Sequence, residues 1–158
     1  MRVYFFDASA IVKLVVNEKG SHEIRELCQT PEVVRTTWLC LAESYGVIKR
    51  KWIKKELDHN AYVRKLFSLQ RYVQRRIKIL GSTDLRPQEF DEVKNLLAQY
   101  SIDSKHSIDF SDALHIAIVK RWRVSRPVFV ACDKKLLCAA ICEGLTVWNP
   151  EFEPSFPR

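Results

Sequence analysis

Short apolar runs alternate with amphipathic stretches along the whole chain. Val3 to Phe6 is an unbroken apolar run, which is typical of a strand that is covered on both faces. After Asp7 the apolar residues take helical spacing, at Ala10, Ile11, Leu14 and Val15. The pattern therefore predicts a strand that runs into a helix, with Asp7 at the carboxyl end of the strand and Ser9 as the helix N-cap.

The same alternation continues to the end of the chain. The patterns predict strands at 2–6, 33–36, 77–80, 127–131 and 145–148. They predict helices at 9–17, 21–29, 38–50, 53–59, 61–75, 87–100, 109–122 and 134–143. Strands that alternate with helices favour a three-layer α/β/α sandwich with a parallel central sheet. We expect a single domain over residues 1–158, with the proline-rich tail packed irregularly on the surface.

Composition limits the class of protein. An apolar fraction of 47% in 158 residues fits one globular core. No run of 18 uncharged apolar residues occurs, so we expect no membrane span, and the amino end does not resemble a signal peptide. The five cysteines form no C-x-x-C pair and lie mostly in apolar runs. They are expected to be reduced core thiols, which favours a cytoplasmic protein.

The positive charge is concentrated in residues 49–78. This segment has 11 Lys or Arg against two acids, a net charge of +9, whereas the whole chain carries +7. Apolar and basic side chains fall on different faces of a predicted helical hairpin, which is inserted in the domain. The basic face contains Arg64, Arg71 and Arg75. We expect this face to bind the phosphates of a nucleic acid rather than serve as an ordinary solvated surface.

Acidic residues recur at strand ends and on apolar helix faces. Asp7 and Asp133 each follow an apolar strand, and Glu43 lies on a largely apolar helix face. Asp109 and Asp112 are three residues apart in the first turn of a helix that is apolar nearly all round. Each acid alone fits a cap or a turn. Together they predict one acidic cluster at the carboxyl edge of a parallel sheet, where ligands of such sheets bind.

A cluster of carboxylates requires protons or a cation. Two unit charges 4 Å apart repel by about 4 kcal/mol at an effective dielectric constant near 20. Oxygen ligands select Mg²⁺ or Mn²⁺, and no His–Cys set has zinc-site spacing. We expect His115 to be an ordinary helix-face histidine. Acids that hold a metal beside a basic surface are suited to the cleavage of phosphodiesters.

Several motifs resemble the PIN domain, and most closely the VapC-type toxins of prokaryotic toxin–antitoxin pairs. They are "FFDASAIVKL", "LAESYGVIKR", "DALHIA", "VFVACDKKL" and "GLTVWNPE". The resemblance implies a Mg²⁺- or Mn²⁺-dependent endoribonuclease that forms a homodimer and is restrained by a cognate antitoxin protein. It implies a catalytic, metal-binding quartet of Asp7, Glu43, Asp112 and Asp133. Ser9 matches the small hydroxyl residue of the family, Asp109 is an additional outer acid, and Ala131 replaces the usual threonine.

Three other classes of protein share parts of this pattern. A haloacid-dehalogenase-type phosphatase needs a second aspartate where this chain has Ser9. A receiver domain needs an acidic pair near the amino end and a late lysine, but the first strand supplies only Asp7. A catalytically weak or inactive PIN-like module that binds RNA or protein is the remaining alternative. Ala131 favours it, and the four intact acids oppose it.

Overall fold

A parallel sheet forms the centre of the molecule. The computed structural model describes residues 2–80, 87–100, 107–122 and 127–157. Its strands are β1 (Val3–Phe6), β2 (Val33–Thr37), β3 (Ile77–Leu80), β4 (Val128–Val130) and β5 (Thr146–Trp148). They pair in the order β3-β2-β1-β4-β5, and every pairing is parallel. The parallel central sheet predicted from the sequence is confirmed.

Helices cover both faces of the sheet. They are α1 (Ala8–Lys13), α2 (Ser21–Leu27), α3 (Trp38–Ile53), α4 (His59–Arg76), α5 (Pro87–Tyr100), α6 (Phe110–Arg121) and α7 (Lys134–Cys142). Side chains alternate across β1, so Tyr4 and Phe6 pack with the first four helices. Phe5 packs on the opposite face with the last three. The three-layer sandwich is therefore confirmed.

The first helix differs from its prediction at both ends. Its N-cap is Asp7, whose side chain accepts a hydrogen bond from the Ser9 N–H, so the prediction of Ser9 as N-cap is wrong. The helix ends at Lys13 instead of residue 17. The guanidinium of Arg25 donates hydrogen bonds to the carbonyls of Leu14 and Val16, at 3.0 and 3.2 Å. Arg25 thus stabilises a turn where the apolar spacing predicted further helix.

The basic segment contains the end of α3, the whole of α4 and the start of β3, and α3 packs against α4. The predicted separate helix at 53–59 is wrong, because α3 continues to Ile53 and Lys55 then takes a left-handed conformation with φ of 61°. Asp58 caps α4 by accepting from the Ala61 N–H at 2.7 Å. The apolar stripe of α4 packs on the core as predicted, through Tyr62, Leu66, Leu69 and Val73. Arg64, Arg71 and Arg75 are exposed.

The proline-rich tail is irregular, as predicted, but one partly buried side chain packs against the core. Phe156 makes edge-to-face contacts with Tyr4 and Trp148, at centroid distances of 6.1 and 5.9 Å. The Tyr4 hydroxyl also donates a hydrogen bond to the Pro157 carbonyl. No helix in the described ranges is both long enough and apolar enough to cross a membrane.

Candidate metal centre

A cavity of about 520 Å³ opens at the carboxyl edge of the sheet. Strands β1 and β4 are parallel neighbours, with Phe6 opposite Val130. The acids that follow these two strands therefore reach the same edge. All five acids predicted from the sequence line this cavity: Asp7, Glu43, Asp109, Asp112 and Asp133.

Asp7 lies deepest among these acids, with 7% of its surface exposed. Its Oδ2 accepts hydrogen bonds from the Ser9 N–H at 3.1 Å and the Ser9 hydroxyl at 2.8 Å. Its Oδ1 lies 3.3 Å from Nδ1 of His115. Burial opposes ionisation of Asp7, but the interactions with His115 and Ser9 outweigh it and lower the pKa of Asp7 below its ordinary value. This carboxylate is therefore ionised and held in place at neutral pH.

Asp109 and Asp112 form a capping box at the start of α6. Asp109 Oδ1 accepts from the Asp112 N–H at 2.9 Å, and Asp112 Oδ2 accepts from the Asp109 N–H at 3.4 Å. Burial is the largest cause that raises the pKa of Asp112 to about 6, and the charges of Asp109, Asp7 and Asp133 contribute to the same shift, whereas the hydrogen bond from the Asp109 N–H opposes it. Part of the shift is therefore repulsion among these carboxylates.

Glu43 and Asp133 line the cavity from different elements. Glu43 projects from α3, is partly exposed, and brings its Oε2 to 3.8 Å from Nε2 of His115. Asp133 is exposed and caps α7, where its Oδ1 accepts from the N–H groups of Lys135 and Leu136 at 2.7 and 3.3 Å. The sequence left open that four of the acids serve as local caps or turn residues. The structure shows such a role for each of them: Asp7, Asp109, Asp112 and Asp133.

Two residues of this site were not predicted. His115 and Cys40 are buried behind the cavity, with exposed fractions of 1% and 0%. Cys40 Sγ lies 3.1 Å from Nε2 of His115. The expectation that His115 is an ordinary helix-face histidine is wrong, because its ring contacts both Asp7 and Glu43. The available signal was helical spacing, since His115 follows Asp112 by three residues and Cys40 precedes Glu43 by three.

The imidazole of His115 is in an unusual electrostatic environment. Burial disfavours its charged form, but Cys40 and Asp7 outweigh this and raise the pKa of His115 well above its ordinary value. The approach of Nδ1 to Asp7 lacks the alignment of a hydrogen bond, so Nδ1 has no hydrogen-bond partner within the described part of the chain. Its contact with Asp7 is electrostatic.

Basic side chains also reach the cavity. Lys13 is buried and pairs with Glu151 at 2.7 Å and with Glu18 at 3.4 Å. Lys51 pairs with Glu18 from the other side at 2.6 Å. Arg50, one residue away, is exposed and lines the cavity with the acids. The structure therefore adds an arginine at the mouth of the site that the sequence pattern did not single out.

The arginines predicted to bind phosphates lie elsewhere on the surface. None of Arg64, Arg71 and Arg75 is among the described residues that line the acidic cavity. Arg71 and Arg75 line a separate pocket of about 600 Å³ that includes Cys28. Arg64 and Arg71 line a third pocket of about 550 Å³, beside the 65% exposed ring of Phe67. They form a second basic surface along α4.

The acidic cavity fits a hard divalent cation. Its walls offer carboxylate oxygens, and the pKa of Asp112 is raised by burial and in part by the neighbouring carboxylates, whose repulsion a cation would relieve. Mg²⁺ and Mn²⁺ prefer such oxygen ligands, and Mg²⁺ usually keeps several waters, for which an open cavity has room.

Comparison with known families gives one match. The family model described as the PIN domain matches residues 4–137. No curated protein sequence matches the chain.

Solved structures with the same fold cover nearly the whole chain. One is VapBC2 from Rickettsia felis bound to a DNA fragment from its promoter, with a TM-score of 0.59, 15% identity, and coverage of 93% of this chain and 98% of that chain. A second is PAE2754 from Pyrobaculum aerophilum, with a TM-score of 0.57, 19% identity, and coverage of 92% and 89%. A third is VapC20 from Mycobacterium tuberculosis, described as a sarcin-ricin loop cleaving toxin, with a TM-score of 0.54, 17% identity, and coverage of 86% and 94%.

Proposed function

The chain belongs to the PIN domain family, and from this premise we propose that it is a metal-dependent endoribonuclease and the toxin of a toxin–antitoxin pair. The convergence of Asp7, Glu43, Asp112 and Asp133 on one cavity is the observation that carries the proposal. Ordinary caps and turns do not require that four acids face one another, and their mutual repulsion is costly unless a cation offsets it.

These four residues would hold one or two Mg²⁺ or Mn²⁺ ions. When bound, such an ion neutralises charge on the phosphoryl oxygens and lowers the pKa of water that it holds. Asp7 is the best-organised ligand, because Ser9 and His115 fix its carboxylate. Asp133 is exposed and uses Oδ1 as a helix cap, which leaves Oδ2 to act through a water.

We assign RNA positioning to two basic surfaces. Arg50 adjoins the acids and is suited to contact a phosphate near the scissile bond. Arg64, Arg71 and Arg75 are exposed along α4 and would bind the RNA backbone at a distance from the chemistry. Phosphate contacts of this kind supply affinity without sequence selectivity.

The partners follow from the same proposal. The similar structures VapBC2 and VapBC-1, the latter from nontypeable Haemophilus influenzae, and FitAcB from Neisseria gonorrhoeae have TM-scores of 0.59, 0.58 and 0.53. By analogy we propose a cognate antitoxin protein and a homodimer for this chain. All five cysteines are free, which is consistent with action in the cytoplasm.

A binding module without catalytic activity is the second candidate function. One observation favours it, because Asp109, Asp112 and Asp133 all serve as helix-capping groups, a role that needs no metal. In addition, Ala131 is fully buried and offers no hydroxyl at the position where the family usually has threonine.

Cleavage of labelled RNA with and without Mn²⁺ separates the two functions. The nuclease should cleave only when the metal is present. Asp7→Asn should reduce cleavage by about 10²-fold or more, since several kcal/mol of transition-state stabilisation depend on the metal, while RNA binding persists. Asp91→Asn, an exposed acid on α5, is the matched control and should retain full activity. RNA binding without metal-stimulated cleavage in the wild-type protein would support the binding module instead.

A further inference from the structure

A second set of possible metal ligands lies at the base of the acidic cavity. One ligand atom from each of Asp7, Cys40, Glu43 and His115 can be chosen so that all four lie within 4.8 Å of one another. Cys40 and His115 are buried, whereas Asp7 and Glu43 also line the cavity. The set joins a thiol and an imidazole to two carboxylates, and it is chemically different from the oxygen-only quartet.

We propose that Cys40, His115 and Glu43 bind Zn²⁺, or a transition-metal ion of similar softness, in a site that overlaps the Mg²⁺ or Mn²⁺ site, with Asp7 holding the ring of His115. A thiolate and an imidazole are preferred ligands of Zn²⁺, and Mg²⁺ does not select them. The metal site itself does not depend on the proposed nuclease function, whereas inhibition of RNA cleavage by Zn²⁺ does.

The distances are close to those of a tetrahedral zinc site. Bond lengths of about 2.0–2.3 Å place neighbouring ligand atoms roughly 3.3–3.7 Å apart. The His115 Nε2 atom lies 3.1 Å from Cys40 Sγ and 3.8 Å from Glu43 Oε2. Small side-chain rotations would therefore bring these three atoms to coordination distance. Binding would release two protons to solvent, one from the Cys40 thiol and one from Nε2 of the protonated His115 ring.

The unpartnered Nδ1 of His115 supports the same site. This atom is buried and has no hydrogen-bond partner in the described part of the chain, yet it lies 3.3 Å from Asp7 Oδ1. Metal-binding histidines usually donate their other ring N–H to a carboxylate or carbonyl, which fixes the ring and its tautomer. With a metal on Nε2, the N–H on Nδ1 would face Asp7, and a slight ring rotation would complete that hydrogen bond.

Overlap of the two sites predicts inhibition. Glu43 would be a ligand in both sites, and Asp7 would be drawn toward His115. Zn²⁺ bound by Cys40, His115 and Glu43 would therefore remove Glu43 from the quartet that holds the catalytic ion. Because the site includes a buried thiol and imidazole, it would bind Zn²⁺ more tightly than the activating metal. Zn²⁺ should therefore inhibit at concentrations well below those at which the activating metal is needed.

Co²⁺ is a direct spectroscopic probe of this site in the full chain without RNA. The wild-type protein should show a thiolate-to-Co²⁺ charge-transfer band, and added Zn²⁺ should abolish it. Cys40→Ala should lack the band, whereas Cys28→Ala, which removes another buried thiol, should keep it. His115→Gln should weaken Zn²⁺ binding in calorimetry by at least about 10-fold. Circular dichroism checks that each variant is folded.

Two results would overturn the proposal. One is Co²⁺ binding by the wild-type protein without a thiolate band, and the other is a band that survives in folded Cys40→Ala. An RNA assay then tests inhibition, since Zn²⁺ should suppress Mn²⁺-dependent cleavage more strongly in Cys28→Ala than in Cys40→Ala. A protein that shows the band but never cleaves RNA would refute the proposed nuclease and leave the metal site standing.

Discussion

The hydroxyl of Ser9 donates a 2.8 Å hydrogen bond to Oδ2 of Asp7. The same hydroxyl oxygen accepts a 3.0 Å hydrogen bond from the backbone N–H of Cys132. Ser9 follows β1 and Cys132 follows β4, so one hydroxyl joins the carboxyl ends of two neighbouring strands. The carboxylate of Asp7 is thereby tied to both strands.

Removal of this hydroxyl tests how far the Asp7 carboxylate depends on it. Ser9→Ala should lower the free energy of unfolding by about 1–2 kcal/mol, because it removes a hydrogen bond to a charged group and leaves the Cys132 N–H without its partner. It should also weaken Mn²⁺ binding by roughly 10-fold, as is usual for groups that orient a metal ligand. Denaturant unfolding and calorimetry measure the two effects.

Ser111→Ala is the matched control for Ser9→Ala. Its hydroxyl donates to Oδ1 of Asp109 at 2.9 Å, outside the proposed metal-binding quartet. We expect its Mn²⁺ affinity to stay within about twofold of the wild-type value, because mutations that touch no ligand of the ion seldom alter its affinity. Equal losses in the two variants would contradict a specific role for Ser9.

The pKa of Asp112 predicts a pH dependence of folding in the metal-free protein. This pKa is about 6 in the folded chain against an ordinary value of 3.8. The unfolded chain loses the proton first, so the contribution of Asp112 to stability is greatest below about pH 4 and declines as the pH rises to about 6. Unfolding in EDTA should show this decline in the wild-type protein, and Asp112→Asn should lack it.

The difference in the free energy of unfolding between the wild-type protein and Asp112→Asn, followed against pH, separates the contribution of Asp112 from that of the other acids. Asp91→Asn should follow the wild-type pH curve, because Asp91 is exposed on α5. Mn²⁺ should restore stability above pH 6, where the carboxylate is ionised and able to bind the ion. Parallel pH curves for Asp112→Asn and the wild-type protein would contradict the raised pKa.

Much of the fold could be predicted because the hydrophobic pattern is regular. The strand at 77–80 and the helix at 87–100 have the predicted bounds. The errors lie where a single side chain overrides the pattern. Arg25 bonds to the carbonyls of Leu14 and Val16 in the turn that follows α1, and the left-handed Lys55 lies in the stretch where a separate helix was predicted. Such contacts do not show in apolar spacing.

The site could be predicted in part for a similar reason. Topology brings the acids after β1 and β4 to one edge, so Asp7 and Asp133 could be placed together from strand ends alone. Cys40 and His115 were missed because they are 75 residues apart and meet only in the folded chain. Helical spacing places each of them beside an acid, but it does not report the contact between the two.

Association of the chain with itself is a further prediction. Large apolar side chains are exposed on several helices, and Trp38, Phe90 and Phe110 are among them. Burial of about 800 Å² per partner is usual for a stable interface. Light scattering at micromolar concentration should give about twice the chain mass of 18.5 kDa. A species of 18.5 kDa alone would count against the homodimer.

The exposed arginines of α4 predict a strong dependence of RNA binding on salt. Each phosphate neutralised on a single strand contributes about −0.7 to the slope of log affinity against log salt. If each arginine meets one phosphate, replacement of Arg64, Arg71 and Arg75 by alanine should make that slope shallower by roughly 2. Metal binding should persist, because none of the three is among the described residues that line the acidic cavity.

The control for these arginines removes charge from another surface. Lys19→Ala combined with Lys94→Ala removes two exposed cations outside the basic segment, and we expect it to change the slope by less than about 0.5. The alternative occupant of the α4 surface is an acidic antitoxin. An unchanged slope in the triple arginine variant, measured on RNA without antitoxin, would refute the RNA contact. The acidic antitoxin would then remain the proposed occupant, because the net charge of +9 in residues 49–78 favours a partner of opposite charge.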